Sequence, residues 1–323
     1  ADKAFEDSGG ISLTDLNYVE RSNKIRVEKL LNGVSVLLAE HNAATSGATC
    51  TLNNALGVPV ASGVGVTGPD GSVTLSNVVL TSGLVTALCT GGTYVDEATG
   101  VRTPAPNIRS AIIYSGAGDL TMVLTPLSEI AYQMADTNAG TTLASTITVK
   151  NAEVATAFGL ASVDIIRTIP TDINNVPAAN DAAGMFGTVL AAISQMGENA
   201  GDASPTATIE ALVGDMLGTD SSAVGTIEGR NSVDIATAIN NFETGSGVND
   251  GTGAGNISSS VGEGTVKGNA AIAFIDAYDG TDAAPTLQHY TDAGVTGVTV
   301  DNIAAVNAAV SGQTAGTTAQ IQA

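Results

Sequence analysis

The side chains able to do chemistry are few, and their spacing does not assemble them. An enzyme needs a nucleophile, an acid–base group or a bound metal. The chain holds two histidines, His41 and His289, and neither falls in an HExxH or comparable ligand spacing. A G-x-S-x-G elbow and a phosphate-binding P-loop are both missing from the sequence. The glycine string from Gly251 to Asn256 follows no strand and opens no helix, so it reads as linker and not as a dinucleotide turn. Two acidic pairs, Asp96 with Glu97 and Asp276 with Asp279, would suit paired carboxylate chemistry or calcium. Neither has the alternating oxygen ligands of an EF-hand loop, and Asp-rich turns commonly bond their own backbone. No catalytic residue and no cofactor is therefore expected, calcium being the only cation entertained. His289, next to Tyr290, is expected on a helix surface or at its edge.

The two cysteines, Cys50 and Cys89, form no CxxC and have no histidine cluster near them. In an exported chain such a pair forms a disulfide, and both lie in β-rich runs of one region. Export is suggested by composition. Charged residues are 13% of the chain against about a quarter in ordinary soluble domains, aromatics are 3%, and there is no Trp. The chain starts at Ala1, as a mature terminus left by signal-peptide cleavage would. With 32 acidic residues against 11 basic ones, the net charge is -21, so nucleic acid and anionic bilayers would be repelled. No apolar run approaches the roughly 18 residues that a membrane span needs.

The elements that must position these side chains change in texture along the chain. Residues 1–45 form an N-terminal arm carrying Lys3, Arg21, Lys24, Arg26 and Lys29, five of the 11 basic residues. Its runs "KIRVEKL" and "GVSVLLAE" have strand character, with a hairpin turn expected at Asn32-Gly33. A helix over "LTDLNYVERSNKIRVEKLL" competes with that reading. Residues 46–122 hold short β-rich runs, with a turn at Pro69-Asp70-Gly71. Their spacing predicts a β-sandwich.

Residues 123–243 read as helical. Thr125 caps a helix that starts at Pro126, with Leu127, Ile130, Ala131 and Met134 on one face. Ser204 and Pro205 open another, with a stripe of Ile209, Leu212, Val213, Met216 and Leu217. Gly159 ends a helix through "NAEVATAF", and "FGTVLAAISQM" and "SVDIATAINNF" add two more. Residues 244–268 contain eight glycines and read as a linker. Residues 269–323 predict three short helices, with Thr299 as an N-cap and Gly294 as a stop. Such a miniature would be marginal alone and should pack on a neighbour.

Four strings, "PVASGVGVTGPDGSVTLSNV", "TGGTYVDEATG", "TPLSEIAYQMA" and "NAEVATAFGLASVDIIRTIP", resemble in that order a module of bacterial surface proteins and lipoproteins. In that module a transthyretin-like or carboxypeptidase-regulatory-like β-sandwich precedes a helical domain. The C-terminal "DAAPTLQHYTDAGVTGVTVDNIAAVNAAV" is similar to a helical repeat of large bacterial adhesins. The resemblance covers about half the chain and implies an α+β multidomain fold, an Ig- or transthyretin-like sandwich followed by small helical domains. It implies no catalytic residues. The segment before Gly47 does not match the module's leading strand.

Two functions fit an exported, non-enzymatic chain at the bacterial cell surface. In the first, the chain is a filament or sheath subunit, a homopolymer built head-to-tail. The arm would dock on the next subunit through Ile25, Val27, Leu30, Val34, Val36 and Leu38, adding a strand to an open sheet edge. In the second it is a monomeric adhesin or ligand-binding module with an unknown receptor. The scarcity of aromatics weighs against sugar binding. The arm folding back to complete its own domain is the alternative to docking.

Overall fold

The computed structural model describes residues 32–40, 43–136, 142–173, 181–219, 227, 235–244, 268, 271–281, 283–313 and 317–322. The fold is mixed α and β. Among the described residues ten strands come first and about nine helical segments follow.

The strands are β1 (Asn32–Glu40), β2 (Ala43–Ala44), β3 (Thr49–Asn53), β4 (Pro59–Val66), β5 (Ser72–Val78), β6 (Gly83–Thr90), β7 (Thr93–Val95), β8 (Arg102–Pro104), β9 (Ile108–Tyr114) and β10 (Leu120–Leu124). One sheet runs β4-β3-β6-β9 and is antiparallel throughout. A second centres on β1, which pairs in parallel with β10 and antiparallel with β5, and closes onto β2 at Ala39 and Glu40. The strands β7 and β8 form a separate antiparallel pair.

Local chemistry accounts for several joints. Between β4 and β5, the Gly71 N–H donates to the Gly68 carbonyl at 3.0 Å, with Pro69 and Asp70 at the bend and Gly71 at φ +70°. Pro presets its own φ and Gly accepts the positive one. The backbone N–H and the hydroxyl of Ser72 then hold the Asp70 carboxyl below the usual carboxylate range. Gly65 of β4 lies so close to β5 that a Cβ there would meet Val73 Cγ2 and Leu75 Cδ2 at 2.6 Å.

Asn32-Gly33 does not make the expected hairpin turn. Both residues belong to β1, and the ladder with β5 shifts register between Asn32 and Val34. Across that step one residue of β1, Gly33, faces two of β5, Ser76 and Asn77. The extra residue is accommodated by Asn77 at φ +61°, a β-bulge. Gly33 therefore sits at a bulge, and a tertiary pairing overrides the local turn signal.

The helices are α1 (Pro126–Asp136), α2 (Leu143–Ala157), α3 (Ala182–Ala200), α4 (Pro205–Leu217), α5 (Ile235–Thr244), α6 (271–277), α7 (Leu287–Asp292), α8 (Ile303–Val310) and α9 (Thr318–Gln322). Thr125 and Ser128 cap α1 reciprocally: the Thr125 N–H donates to Ser128 Oγ at 3.0 Å and the Ser128 N–H to Thr125 Oγ1 at 3.4 Å. The predicted face of Leu127, Ile130, Ala131 and Met134 is buried. In α4, Ser204 Oγ accepts the Ala207 N–H, Pro205 holds the first turn and Gly218 closes the helix at φ +62°. Ile209, Leu212, Val213 and Met216 are buried there, and Leu217 is half-buried. At Gly197 of α3 a Cβ would collide with Thr208 Oγ1 of α4, so the glycine sets how closely the two helices pack.

Two C-terminal expectations change. The helix α8 starts at Ile303 with Asn302 as its N-cap, because a turn comes first: the Asn302 N–H reaches the Thr299 carbonyl, and the Thr299 N–H donates to Asn302 Oδ1. His289 is buried and not on a surface. Its Nδ1 accepts the Thr286 N–H at 2.9 Å in a capping box, and its ring lies 4.3 Å from that of Phe274. Gly294, at φ +73°, stops α7 as expected. One contiguous apolar cluster includes residues from both larger sheets, from α1 to α5 and from the C-terminal helices as far as Ile321. The expected linker lies almost entirely outside the described residues.

Candidate assembly site

The strand β1 lies between β5 and β10, so its two backbone edges are both used. Val34 to Leu38 pair with Leu120 to Leu124 on one side, and Val34 to Leu37 with Leu75 to Ser72 on the other. Of the six residues expected in an assembly arm, Val34, Val36 and Leu38 lie on this strand at alternate positions. Ile25, Val27 and Leu30 fall outside the described residues. In the single chain the arm's strand therefore completes its own sheet, the folded-back arrangement. The physical reason is proximity, since only residues 41–42 separate β1 from β2, which pairs back on it.

The strands on either side of β1 line its position with buried side chains. Leu120, Met122, Val123 and Leu124 of β10 are buried, as are Leu75 and Val78 of β5. The disulfide Cys50–Cys89 joins β3 to β6, which belong to the other sheet, at directly opposed positions. Both cysteines are 0% exposed. The covalent staple thus holds the body and leaves β1 untouched.

Parts of two other strands, β9 and β10, are covered by neighbouring groups. On β9 the Arg109 N–H donates to Glu129 Oε2 at 2.6 Å, the Arg109 carbonyl accepts from Ser128 Oγ at 2.8 Å, and the Ala111 carbonyl accepts from Asn151 at 3.4 Å. Side chains of α1 and α2 thereby replace a strand partner. The Arg109 guanidinium also pairs with Glu129 and sits over the Tyr132 ring at 4.3 Å. On β10 the Val123 N–H donates to the Ile166 carbonyl. The strand β4 begins at Pro59 and takes φ +58° at Ser62, where its ladder with β3 shifts register, and β5 is bulged at Asn77 in its ladder with β1. Bulges, prolines and side-chain cover are the devices that keep edges from pairing between molecules.

The sequence flagged Asp96 and Glu97 but not their role. Asp96 Oδ1 accepts from the N–H and hydroxyl of Thr99, and Oδ2 from Ser194 Oγ and from the Tyr94 hydroxyl. Glu97 is fully buried. Asp96 thus shapes the β7–β8 turn and fastens it to α3. Asp279 likewise accepts from the N–H and hydroxyl of Thr281. Among the described residues no group of three His, Cys, Asp or Glu is placed to hold a metal. A polar cleft of about 150 Å³ borders Asp96, Ser194, Glu198, Asp202 and Thr208, and within it Asp202 takes the Thr208 hydroxyl. Among the described residues no helix is long and apolar enough to cross a membrane.

No family model matches the chain, and no curated protein matches it.

Proposed function

We propose that the chain is a secreted structural subunit of an extracellular bacterial filament or sheath, joined head-to-tail by its N-terminal arm. The observation that carries this reading is the seat of β1. It is a full strand position, paired on both edges, supplied by the segment ahead of the disulfide-bonded sheet. A neighbour's residues 32–40 would make the same main-chain hydrogen bonds to β5 and β10 that the chain's own make. Exchange of an identical element is a low-cost route to association, and when it runs in one direction it does not close. Alternate residues of the donor, Val34, Val36 and Leu38, would provide specificity.

The two larger sheets are read as the layers of an Ig- or transthyretin-like sandwich, a reading supported by the close approach of Gly65 to Val73 and Leu75. The resemblance to surface-protein modules and the low charge content support an extracellular place. Scaffold duty, and no catalysis, fits carboxylates engaged in turns and interhelical fastening.

A monomeric adhesin is the second reading, favoured by β1 already sitting in its own sheet. One experiment separates the two. Val36 and Val73 are register partners, and a Val36→Cys, Val73→Cys variant of the full chain can be oxidised after assembly. A filament subunit yields a ladder of covalent multimers on a non-reducing gel, and filaments by electron microscopy. A single intrachain product from particles that stay dispersed would sink the filament reading.

A further inference from the structure

Charge is unevenly spread along the chain. Residues 42–95, which hold β2 to β7, contain one charged side chain, Asp70, against the 32 acidic and 11 basic residues of the whole. Five of the ten large apolar side chains left exposed among the described residues lie in this same stretch: Leu56, Val58, Val64, Val66 and Val79. Two of them, Val64 at 56% and Val66 at 60% exposed, stand side by side on β4.

Among the described residues β4 pairs with β3 alone. The Thr67 N–H donates to the Ala48 carbonyl at 2.9 Å, and the Thr67 carbonyl accepts the Gly47 N–H at 3.0 Å, so the backbone of Thr67 turns toward the β3 side. Alternate residues of an antiparallel strand turn the other way. Val64 and Val66 therefore direct both their N–H and C=O groups to the open edge. The irregular part of β4, with Pro59 and Ser62, ends before them, and the ladder runs in step from Thr51–Val64 to Thr49–Val66. At Val64–Val66 the edge thus carries no charge, no proline and no bulge, the devices that prevent pairing between molecules. Between the two valines Gly65 faces inward, where a Cβ would meet Val73 and Leu75.

We infer that this edge is a contact between two copies of the chain, β4 against β4, antiparallel about a two-fold axis at Gly65. An antiparallel edge is complementary to itself, and the contact closes on two subunits. Val64 exchanges both main-chain bonds with the partner's Val66, and Val66 with the partner's Val64. The two Gly65 residues then meet in the close, non-hydrogen-bonded position. The four valine side chains lie on one face as cross-strand β-branched pairs. Charge selects a second copy as the occupant: bodies of net charge -21 repel wherever carboxylates face each other, and here they approach without burying one. The contact is independent of the β1 seat. It gives a dispersed chain a weak dimer and a filament a lateral neighbour.

The test uses two full-chain variants, Val64→Cys and Val66→Cys. The native cysteines are both in the buried disulfide, so each introduced thiol is the reactive one. Equal positions lie diagonally across the axis, beyond the roughly 7 Å between Cα atoms that a disulfide spans, whereas position 64 of one copy is opposite position 66 of the other. Mild oxidation of the mixed variants should therefore yield covalent dimer at least about tenfold faster than either variant alone. In sedimentation the parent should show a concentration-dependent dimer that added salt strengthens by screening the repulsion between bodies. Val64→Lys with Val66→Lys should abolish that dimer. Equal rates in the mixture and in the single variants overturn the inference, as does a mixture that forms no covalent dimer. A parent that stays monomeric up to about 0.1 mM, or a dimer that persists in the lysine variant, overturns it too. The cross-linking comparison decides even where the lysines lower the melting temperature, and none of these outcomes bears on the filament reading.

Discussion

Asp96 and Ser194 stand 98 residues apart in the chain and are joined by a 2.9 Å hydrogen bond from Ser194 Oγ to Asp96 Oδ2. The same Ser194 oxygen accepts the Ala98 N–H at 3.1 Å. One hydroxyl thus ties the β7–β8 turn to the middle of α3 and satisfies a buried backbone donor. Ser194→Ala leaves that donor without this partner and Asp96 Oδ2 with the Tyr94 hydroxyl in place of two donors, which should cost about 1–3 kcal/mol. Thermal unfolding followed by circular dichroism checks this. A melting temperature equal to the parent's would mean that the turn is held by its own Asp96–Thr99 bonds alone.

Such long-range contacts mark the limit of what could be read from the sequence. The caps at Thr125-Pro126 and Ser204-Pro205 and the stops at Gly159 and Gly294 were legible, because a cap is written within four residues of the helix it ends. The Pro69-Asp70-Gly71 turn was legible for the same reason. Cys50 and Cys89 were legible as a pair because only two cysteines exist. The seat of β1 was not, since strand partners 35 to 46 and 86 residues away leave no local trace, and Asn-Gly carries the same signal in a hairpin and beside a bulge. His289 was misjudged because its neighbours Phe274 and Thr286 decide its burial, and α9 was missed because "TAQIQ" has a single apolar anchor, Ile321.

The Cys50–Cys89 disulfide closes a loop with a sequence separation of 39 between strands that already pair. The chain-entropy account values such a closure at about 4 kcal/mol. A Cys50→Ala, Cys89→Ala variant should lose stability of that order in urea unfolding, with the slope altered because its unfolded state is less restricted. Full burial of both sulfurs adds a kinetic expectation: in native protein, reductant and alkylating agent together should label neither cysteine until the chain unfolds. Rapid labelling under native conditions would show that β3 and β6 open readily.

In the C-terminal helices, the Tyr290 hydroxyl donates to Asn307 Oδ1 at 2.6 Å, and Asn307 Nδ2 donates to the Pro285 carbonyl. Burial, with a smaller contribution from Tyr278, pushes the Tyr290 phenol up to about 12. An acid whose folded pKa lies above its unfolded value keeps its proton in the native state after the unfolded chain has lost it. Stability from this group is therefore full below about pH 10 and falls between about pH 10 and 12, by about 1.4 kcal/mol per pH unit at most. Urea unfolding across that window, compared with Tyr290→Phe, measures it. The Phe variant should be less stable at neutral pH, because Asn307 loses a partner, yet flatter at alkaline pH. Parallel pH profiles for the two proteins would remove Tyr290 as the cause.

Asn77 is the residue on which the β1 seat depends most directly. It sits in β5 at φ +61°, a conformation that costs an ordinary L residue about 1–2 kcal/mol and that Asn and Gly tolerate. The bulge it makes lets two residues of β5, Ser76 and Asn77, face one of β1, Gly33, and so sets the register of every pair from Val34 to Leu37. Asn77→Gly should keep or slightly raise stability. Asn77→Val, β-branched and strongly disfavoured at positive φ, should lower it by about 1–2 kcal/mol or more. The same substitution gives the assembly reading a graded check. A strained seat binds β1 less well whether the strand comes from the same chain or from a neighbour, so filaments of Asn77→Val should dissociate at lower denaturant than the parent's, while Asn77→Gly filaments match it. If Asn77→Val lowers the melting temperature of the monomer but leaves filament dissociation unchanged, the contact that joins subunits lies elsewhere than beside β5.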